Sequence, residues 1–432
     1  MPRRNLALLM IVTVVSLLCY HRVQRNDAGR VLVGAMETIE HRALEEVDRQ
    51  TLFEGAVQGM LERLNDEHSA YISPRAIQGF NETLDQEFGG VGMEVGLDRK
   101  TNQLVVMSPL VGTPAYRAGI RAGDKILRID GRSTQGMSLQ DAVRLMRGRP
   151  GQTVTLSVLH EGDQQPTQVE LVRAKIQVDT VLGDTRLPDG SWSFTLEEDP
   201  RVGYVRVTSF TEHTPKELRR ALDELMSKSV RGLILDLRDD PGGLLETAVE
   251  VADMFISSGV IVTTRDRRER IVDERRATAK GTYPPLPMAV LVNGATASAS
   301  EIVAACLQDN APGRVAIVGQ RTYGKGTVQE IINLEGERGA LKLTTRSYWR
   351  PSGKNIHRGE DDPDDAEWGV SPTPGYEVVV EGEELSRLRT WRRQRDVGQQ
   401  PEPDGGSNGE AAEPFVDRQL RKAIEYVEGR IE

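Results

Sequence analysis

An α/β fold built on a largely parallel sheet is predicted by three strand-then-helix units between residues 176 and 380. RGLILDLR (231–238), MAVLVNG (288–294) and VAIVGQ (315–320) are continuous apolar runs, as expected of strands covered on both faces. The first leads through Asp239-Asp240-Pro241-Gly242-Gly243 into the amphipathic stretch LLETAVEVADMF, the second through NGATASAS into EIVAACLQDN. Such repeats imply parallel strands joined by right-handed crossovers, with functional groups at the carboxyl ends of the strands. Both glycine-bearing loops fall there.

The flanking regions differ in texture. Pro2-Arg3-Arg4 precedes fifteen uncharged residues, Leu6 to Tyr20. That length suits a signal-peptide core and falls short of the roughly 20 residues that span a bilayer comfortably. No A-x-A cleavage site follows, so residues 1–25 are expected to be an uncleaved membrane anchor rather than a removed signal. Arg3-Arg4 fits a cytoplasmic start, although Arg22 and Arg25 on the far side weaken the orientation. The remainder of the chain is then expected outside the cytoplasm, in the periplasmic part of the cell envelope.

Residues 26–86 carry apolar positions at three- and four-residue steps (VLVGAMETIEHRALEEVD, LFEGAVQGMLERLN) and read as helices. From 87 to 175 the pattern is that of a small, mostly β domain. It opens with the glycine-rich FGGVG (88–92) and contains the strands QLVVMSPL and TVTLSVLH. The helix SLQDAVRLMRG, 138–148, has a serine start and a glycine stop. RDRRERIVDERR (265–276) reads as a solvated face. Helical segments are expected at 381–393 and 415–432, separated by a polar, Gly- and Pro-rich disordered linker at 394–414.

A net charge of −10 argues against a nucleic-acid partner. Two cysteines, Cys19 and Cys306, and six scattered histidines offer no metal-ligand spacing, so neither a metal nor another cofactor is expected. A homo-oligomer is left open.

Thr296, Ser298 and Ser300 alternate with alanines at the start of the EIVAACLQDN helix. Helix capping is the plain reading, because Ser298-Ala299-Ser300-Glu301 has the S-x-x-E form. Chemistry is the other: a serine hydroxyl becomes a nucleophile once a base takes its proton. The nearest histidine to a strand end is His213. Lys325, between Gly324 and Gly326 in RTYGKGTVQ, lies 27 residues beyond Ser298, about one crossover unit. A lysine amine ordinarily titrates near about 10.4, and burial lowers that by several units. Tyr323, Val328 and Val292 are the expected desolvating neighbours, and Gln329 a hydrogen-bonding partner for the amine. An acyl-transfer site also needs donors for the oxyanion. The N–H of Ala299 at a helix start and those of the Gly242-Gly243 turn qualify. Taken singly, these are also an exposed loop lysine, a strand-surface glutamine and a tight βα turn.

The segments DLRDDPGGLLETAVEVADMF, ATASASEIVAACLQDN and TYGKGTVQ, in this order, resemble the carboxy-terminal processing, or tail-specific, serine proteases. The resemblance implies a crotonase-like βα sheet core over 176–380. Ser298, rather than Ser300, becomes the nucleophile, Lys325 the general base and Gln329 its orienting partner. Ala299, with Gly242 or Gly243, supplies the oxyanion donors. Residues 87–175 resemble the inserted PDZ domain of the same proteases. Such domains take up a free peptide C-terminus as an added strand, and the carboxylate would be held at Gly89, Gly90, Val91 and Gly92. Leu145 and Ile120 are candidate pocket residues, with plain core as the alternative. LNDEHSAYIS and PSGKNIH extend the match to about residues 30–430. EDDPDDAEWGVSPTPGYEV departs from the pattern by an acidic insertion at 360–367, where substrate entry would differ.

The activity implied is an exported serine endopeptidase that cleaves proteins near their C-termini, with substrates bearing apolar, free C-termini. A non-catalytic PDZ adaptor or holdase on a protease scaffold is a second class, separable by covalent labelling of Ser298. A Ser–His hydrolase using His213 is a third, betrayed by a pH–rate limb near about 6.5.

Overall fold

The computed structural model describes residues 10–16, 27–77, 79, 87–98, 101–160, 162–187, 190–359, 362–363, 366–396 and 415–431. The chain forms two compact units, residues 1–77 with 329–344, and residues 78–328 with 345–432.

In the smaller unit, helices α1 (Asp27–Arg42) and α2 (Arg49–Glu62) precede the short strand β1 (Ala70–Ile72). The helical pattern runs on to Asp48 in the sequence, yet α1 stops at Arg42. Asp48 instead caps α2, its Oδ1 accepting the N–H groups of Gln50 and Thr51 at 2.8 and 3.0 Å. β1 pairs antiparallel with residues 340–342. Residues 10–16 are helical and exposed. Among the described residues no helix is long and apolar enough to cross a membrane. The rest of the expected anchor, with Cys19, lies outside the described residues, as do most of the 394–414 linker and part of the acidic insertion.

The larger unit opens with a β domain. Its elements are β2 (Glu87–Gly90), β3 (Met93–Leu97), β4 (Leu104–Pro109), α3 (Pro114–Arg117), β5 (Lys125–Ile129) and β6 (Arg132–Ser133), then α4 (Leu139–Met146), β7 (Thr153–Leu159), β8 (Thr167–Val172) and β9 (Ala174–Gln177). The main sheet runs β3-β4-β5-β7-β8, and β2 pairs with β9. Alternation decides the inner face: Leu104 and Val106, Ile126 and Ile129, Leu156 and Val158 meet Ala142 and Met146 of α4 in one core. Ser138 starts α4 as its sequence predicts, its Oγ accepting the Asp141 N–H at 3.1 Å. Ile120 is buried in this core, and Leu145 packs half-buried against it.

Next come β10 (Val181–Leu182), β11 (Thr185–Arg186), β12 (Trp192–Ser193), β13 (Val202–Val207), α5 (Thr214–Ser227), β14 (Gly232–Asp236), α6 (Leu245–Asp253), β15 (Val260–Arg265), β16 (Ile271–Arg276) and β17 (Met288–Val292). They are followed by α7 (Ala299–Asn310), β18 (Val315–Gly319), β19 (Thr327–Asn333), β20 (Ala340–Trp349), α8 (Gly382–Asp396) and α9 (Arg418–Ile431). The central sheet has the order β10-β13-β14-β17-β18. β13, β14, β17 and β18 are parallel and only the edge strand β10 is antiparallel. Successive side chains serve opposite faces. Leu233 and Leu235, Val290 and Val292, Val315 and Ile317 pack with α5, α6 and α7. Ile234, Ala289, Leu291, Ala316 and Val318 pack under α9. With both faces covered, the strands need the unbroken apolar runs seen in the sequence.

One expectation is refined and one is corrected. Part of the stretch read as a solvated face, Ile271–Arg276, is the strand β16, hydrogen-bonded to β15; its residues are exposed or half-buried, as a solvated face requires, and the unbroken charge of residues 273–276 hides the strand signal. Helix α8 continues to Asp396, three residues into the expected linker. Its last turn is held there, since Asp396 pairs with Arg206 at 2.6 Å.

Candidate active site

The carboxyl ends of β14, β17 and β18 bring three loops together. After β17, Asn293 donates its N–H to Thr296 Oγ1 at 3.0 Å, and Thr296 Oγ1 donates to the Leu237 carbonyl at 2.8 Å. The first hydroxyl of the alternating series is therefore a clasp between two strand ends. Ser300, the third, donates to the Asp240 carbonyl at 3.3 Å. Thr296 and Ser300 are both 0% exposed, whereas Ser298 keeps 8%. Of the three, Ser298 alone is open to a ligand.

Ser298 is the N-cap of α7 and holds φ 56° and ψ −116°. A non-glycine residue in so sparsely populated a region costs about 1–3 kcal/mol, and the surroundings must hold it there. The restraint is Glu301. Its Oε2 accepts the Ser298 N–H at 2.8 Å, the glutamate half of the capping box that the sequence predicts. The same oxygen accepts the Lys325 N–H at 2.8 Å. Oε1 accepts the Gly324 N–H at 2.7 Å and the Thr322 hydroxyl at 2.5 Å. One fully buried carboxyl thus ties the Ser298 turn to the lysine loop. Burial pushes its pKa above the ordinary glutamate value, and the Thr322 hydroxyl with the three N–H groups offsets part of that rise.

The lysine loop is held on its other side too. Tyr323 donates its N–H to the Thr296 carbonyl at 2.9 Å, and Tyr348 donates to the Gly326 carbonyl at 2.7 Å. A Cβ on Gly326 would lie 2.2 Å from the His357 nitrogen, so a side chain there would push the loop away. Of the desolvating neighbours expected for Lys325, Val292 and Val328 are buried, but Tyr323 is 48% exposed and supplies little shielding. Lys325 itself is half-buried. Gln329 belongs to the smaller unit, where its Nε2 donates to Thr344 Oγ1 at 3.1 Å.

The glycine loop closes against the same turn. A Cβ on Gly242 (φ 96°) would sit 2.8 Å from the Ala299 nitrogen and 2.9 Å from Ser298 Cβ. No other residue type fits. Gly242 donates its own N–H to Asp240 Oδ1 at 2.8 Å. Gly243 bridges Phe210 through the Gly242 carbonyl and the Leu244 N–H. The Gly243 N–H is left on the opposite side. Upstream, Arg238 is buried between Asp236 (2.6 Å) and Asp417 (2.9 Å), and Tyr204 donates to Asp236 at 2.6 Å. Burial alone would raise Asp236, but Arg238 more than offsets this and holds it below the usual carboxylate range.

His213, the alternative base, is the N-cap of α5. Cys306 lies inside α7 with its thiol pushed up to about 12 by burial, a core residue rather than a reactive one. Among the described residues no cluster suits a metal ion. In the β domain, Gly89 and Gly90 lie in β2 opposite Lys175 and Ala174, Val91 is buried, and Gly92 (φ 76°) turns the chain into β3. Sequence reasoning missed Asp240, and it read Glu301 only as a cap. The link from Glu301 to residues 322–325 leaves no local pattern.

Comparison with known proteins places this arrangement. Residues 201–366 match the model of peptidase family S41, 105–159 a PDZ domain, and 23–85 the N-terminal domain of the activating protease CtpB. A carboxy-terminal-processing protease of Bartonella bacilliformis is 38% identical over 390 residues, 89% of this chain and 84% of its own. The chain belongs to that family. It is accordingly a serine-type peptidase with a PDZ domain, and proteins are its substrates. Carboxy-terminal processing protease CtpB of Bacillus subtilis is 33% identical over 341 residues, 78% of this chain and 67% of its own. A solved structure described as an S41 protease from Bacteroides fragilis matches at TM-score 0.50 and 19% identity, covering 86% of this chain and 90% of its own. That likeness bears on the fold alone.

If Glu301 restrains both loops, Glu301→Gln presents an amide N–H₂ to at least one backbone N–H. Unfolding in denaturant should show a loss of about 1–3 kcal/mol, the cost of an unsatisfied buried donor. A change below about 0.5 kcal/mol contradicts the role given to Glu301.

Proposed function

We propose that this peptidase cleaves proteins near their C-termini by an acyl-enzyme route, with Ser298 as nucleophile and Lys325 as general base. The observation that carries the reading is Glu301 Oε2, which receives the backbone N–H groups of both residues. Ser298 Oγ attacks the scissile carbonyl carbon while the neutral Lys325 amine takes its proton. The oxyanion accepts from the N–H of Ala299, at the start of α7, and from the N–H of Gly243. Gly242 fits that role less well, its N–H being given to Asp240. As the intermediate collapses, Lys325 returns the proton to the leaving amine. Water then attacks the acyl ester, Lys325 taking its proton and passing it to Ser298 Oγ as the acid product leaves.

The adaptor reading has less support, because a holding module has no need of a strained, partly exposed serine at a helix start. The Ser–His reading lacks for His213 the tie that Glu301 gives Lys325. Ser298→Ala and Lys325→Ala should each lower kcat on a protein substrate by roughly 10³-fold or more. Undiminished turnover in either variant rejects the mechanism.

Substrate capture is assigned to the PDZ domain. β3 ends its sheet, paired with β4 alone among the described residues, and α4 packs beside it. An extended peptide would add to that edge with its carboxylate at residues 89–92. A peptide with an apolar C-terminal residue should bind at least about tenfold more tightly as the free acid than as the amide. Equal binding of the two forms removes the carboxylate from the account.

Residues 1–25 are proposed to hold the protein to the outer face of the cytoplasmic membrane, the peptidase lying in the periplasmic space. Full-length protein should then stay in the membrane fraction through an alkaline carbonate wash and leave it only in detergent. Release by carbonate alone would argue for a soluble exported enzyme.

A further inference from the structure

Asp240 stands between the glycine loop and the nucleophile turn, and the peptidase reading gives its side chain no task. It is 0% exposed. Its Oδ1 accepts the Gly242 N–H at 2.8 Å, and its carbonyl accepts the Ala297 N–H at 3.0 Å and the Ser300 hydroxyl at 3.3 Å. Oδ2 is buried with no hydrogen-bond partner among the described residues. A carboxylate would leave that oxygen charged and unsolvated, beside the amides proposed to stabilise an oxyanion. A carboxylic acid carries no charge there, so it avoids the larger cost, that of a buried and unsolvated ion.

We propose that Asp240 is a positioning residue that acts as a neutral acid, its carbonyl oxygen fixing the Gly242 amide while no negative charge opposes the oxyanion. The idea rests on the proposed Ser298 chemistry for its catalytic half only. Two observations support it beyond geometry. Burial raises the Asp240 pKa to about 8, the Gly242 N–H on Oδ1 holding it back in part. Several charged groups on the surrounding elements also have other partners. Arg238 is taken by Asp236 and Asp417, and Asp239 by Arg389. Glu301 of α7 is taken by its four donors, with Lys325 beyond it on the 321–326 loop. Glu212 and His213 lie on the segment after β13, next to Phe210, which bridges Gly243. In a site of low dielectric a full charge near the oxyanion would be felt strongly. Ionisation of Asp240 should therefore switch activity off on the alkaline side, where the lysine base gains.

The test uses the full chain, wild type and Asp240→Asn, with kcat on a peptide substrate and thermal unfolding both followed from pH 5 to pH 10. Wild-type kcat should fall up to tenfold per pH unit above about 8, and Asp240→Asn should lose that fall. The sign for stability follows from linkage. An acid whose pKa is raised by folding stabilises the fold fully below its unfolded value, near about 4, and loses that contribution as pH rises toward about 8. The melting temperature of wild type should thus drop relative to Asp240→Asn across that interval. If the asparagine protein does not fold, Asp240→Ser serves in its place: with no carboxyl to ionise, its alkaline limb and its pH-dependent melting difference should likewise be lost. An unchanged alkaline limb in Asp240→Asn, no limb in wild type, or a melting difference independent of pH overturns the proposal. The melting series needs no catalysis, so it judges the neutral acid even if Ser298 proves not to be the nucleophile.

Discussion

A single buried carboxyl group, that of Glu301, joins the two pieces of backbone on which the proposed chemistry depends. Its four donors come from the turn after β17 and from the loop after β18. Without it, Ser298 has little reason to stay at φ 56°, and nothing else described here links its backbone so directly to that of Lys325. The strain at the serine and the closeness of the lysine loop are thus two consequences of one restraint. Strained residues persist only where their surroundings over-determine them, and here the over-determination also includes Gly242 pressed against Ser298 and Ala299.

Around that restraint the sheet acts as a rigid frame. Its four parallel strands present their carboxyl ends side by side, and α9 closes the face opposite α5, α6 and α7. Burying side chains such as Leu420, Val427 and Ile431 contributes about 1.5–3 kcal/mol each. The contact is also specific, because Arg238 at the end of β14 reaches Asp417 and Gln419 just before and within α9. A buried pair of this kind adds little net stability over an apolar replacement, but breaking it is expensive. It therefore fixes where the loop of residues 237–243 begins, and with it the place of Gly242 and Gly243.

Much of this was legible in the sequence wherever the signal is local. RGLILDLR, MAVLVNG and VAIVGQ became β14, β17 and β18, since an unbroken apolar run beside turn residues admits few other outcomes. Ser138 and the S-x-x-E at Ser298 mark helix starts because capping acts over three residues. Long-range electrostatics was not legible. Asp240 in the sequence is one of two adjacent aspartates, and only burial under α7 distinguishes it from Asp239, which is exposed and paired with Arg389. The choice among three hydroxyls was open to chemistry alone. Exposure favours the proposed Ser298, since Thr296 and Ser300 are consumed by carbonyls of the neighbouring loop. β16 was missed because four consecutive charges, Asp273 to Arg276, in an exposed hairpin carry no apolar alternation to mark a strand.

The most direct test of the central claim is covalent labelling with a fluorophosphonate, followed by peptide mass mapping, in wild type and Lys325→Ala. A single adduct on the peptide containing Ser298 is expected, forming about 100-fold or more slowly once the lysine is gone. An adduct on Ser300 or elsewhere, or labelling of Ser298 at the same rate in both proteins, would contradict it.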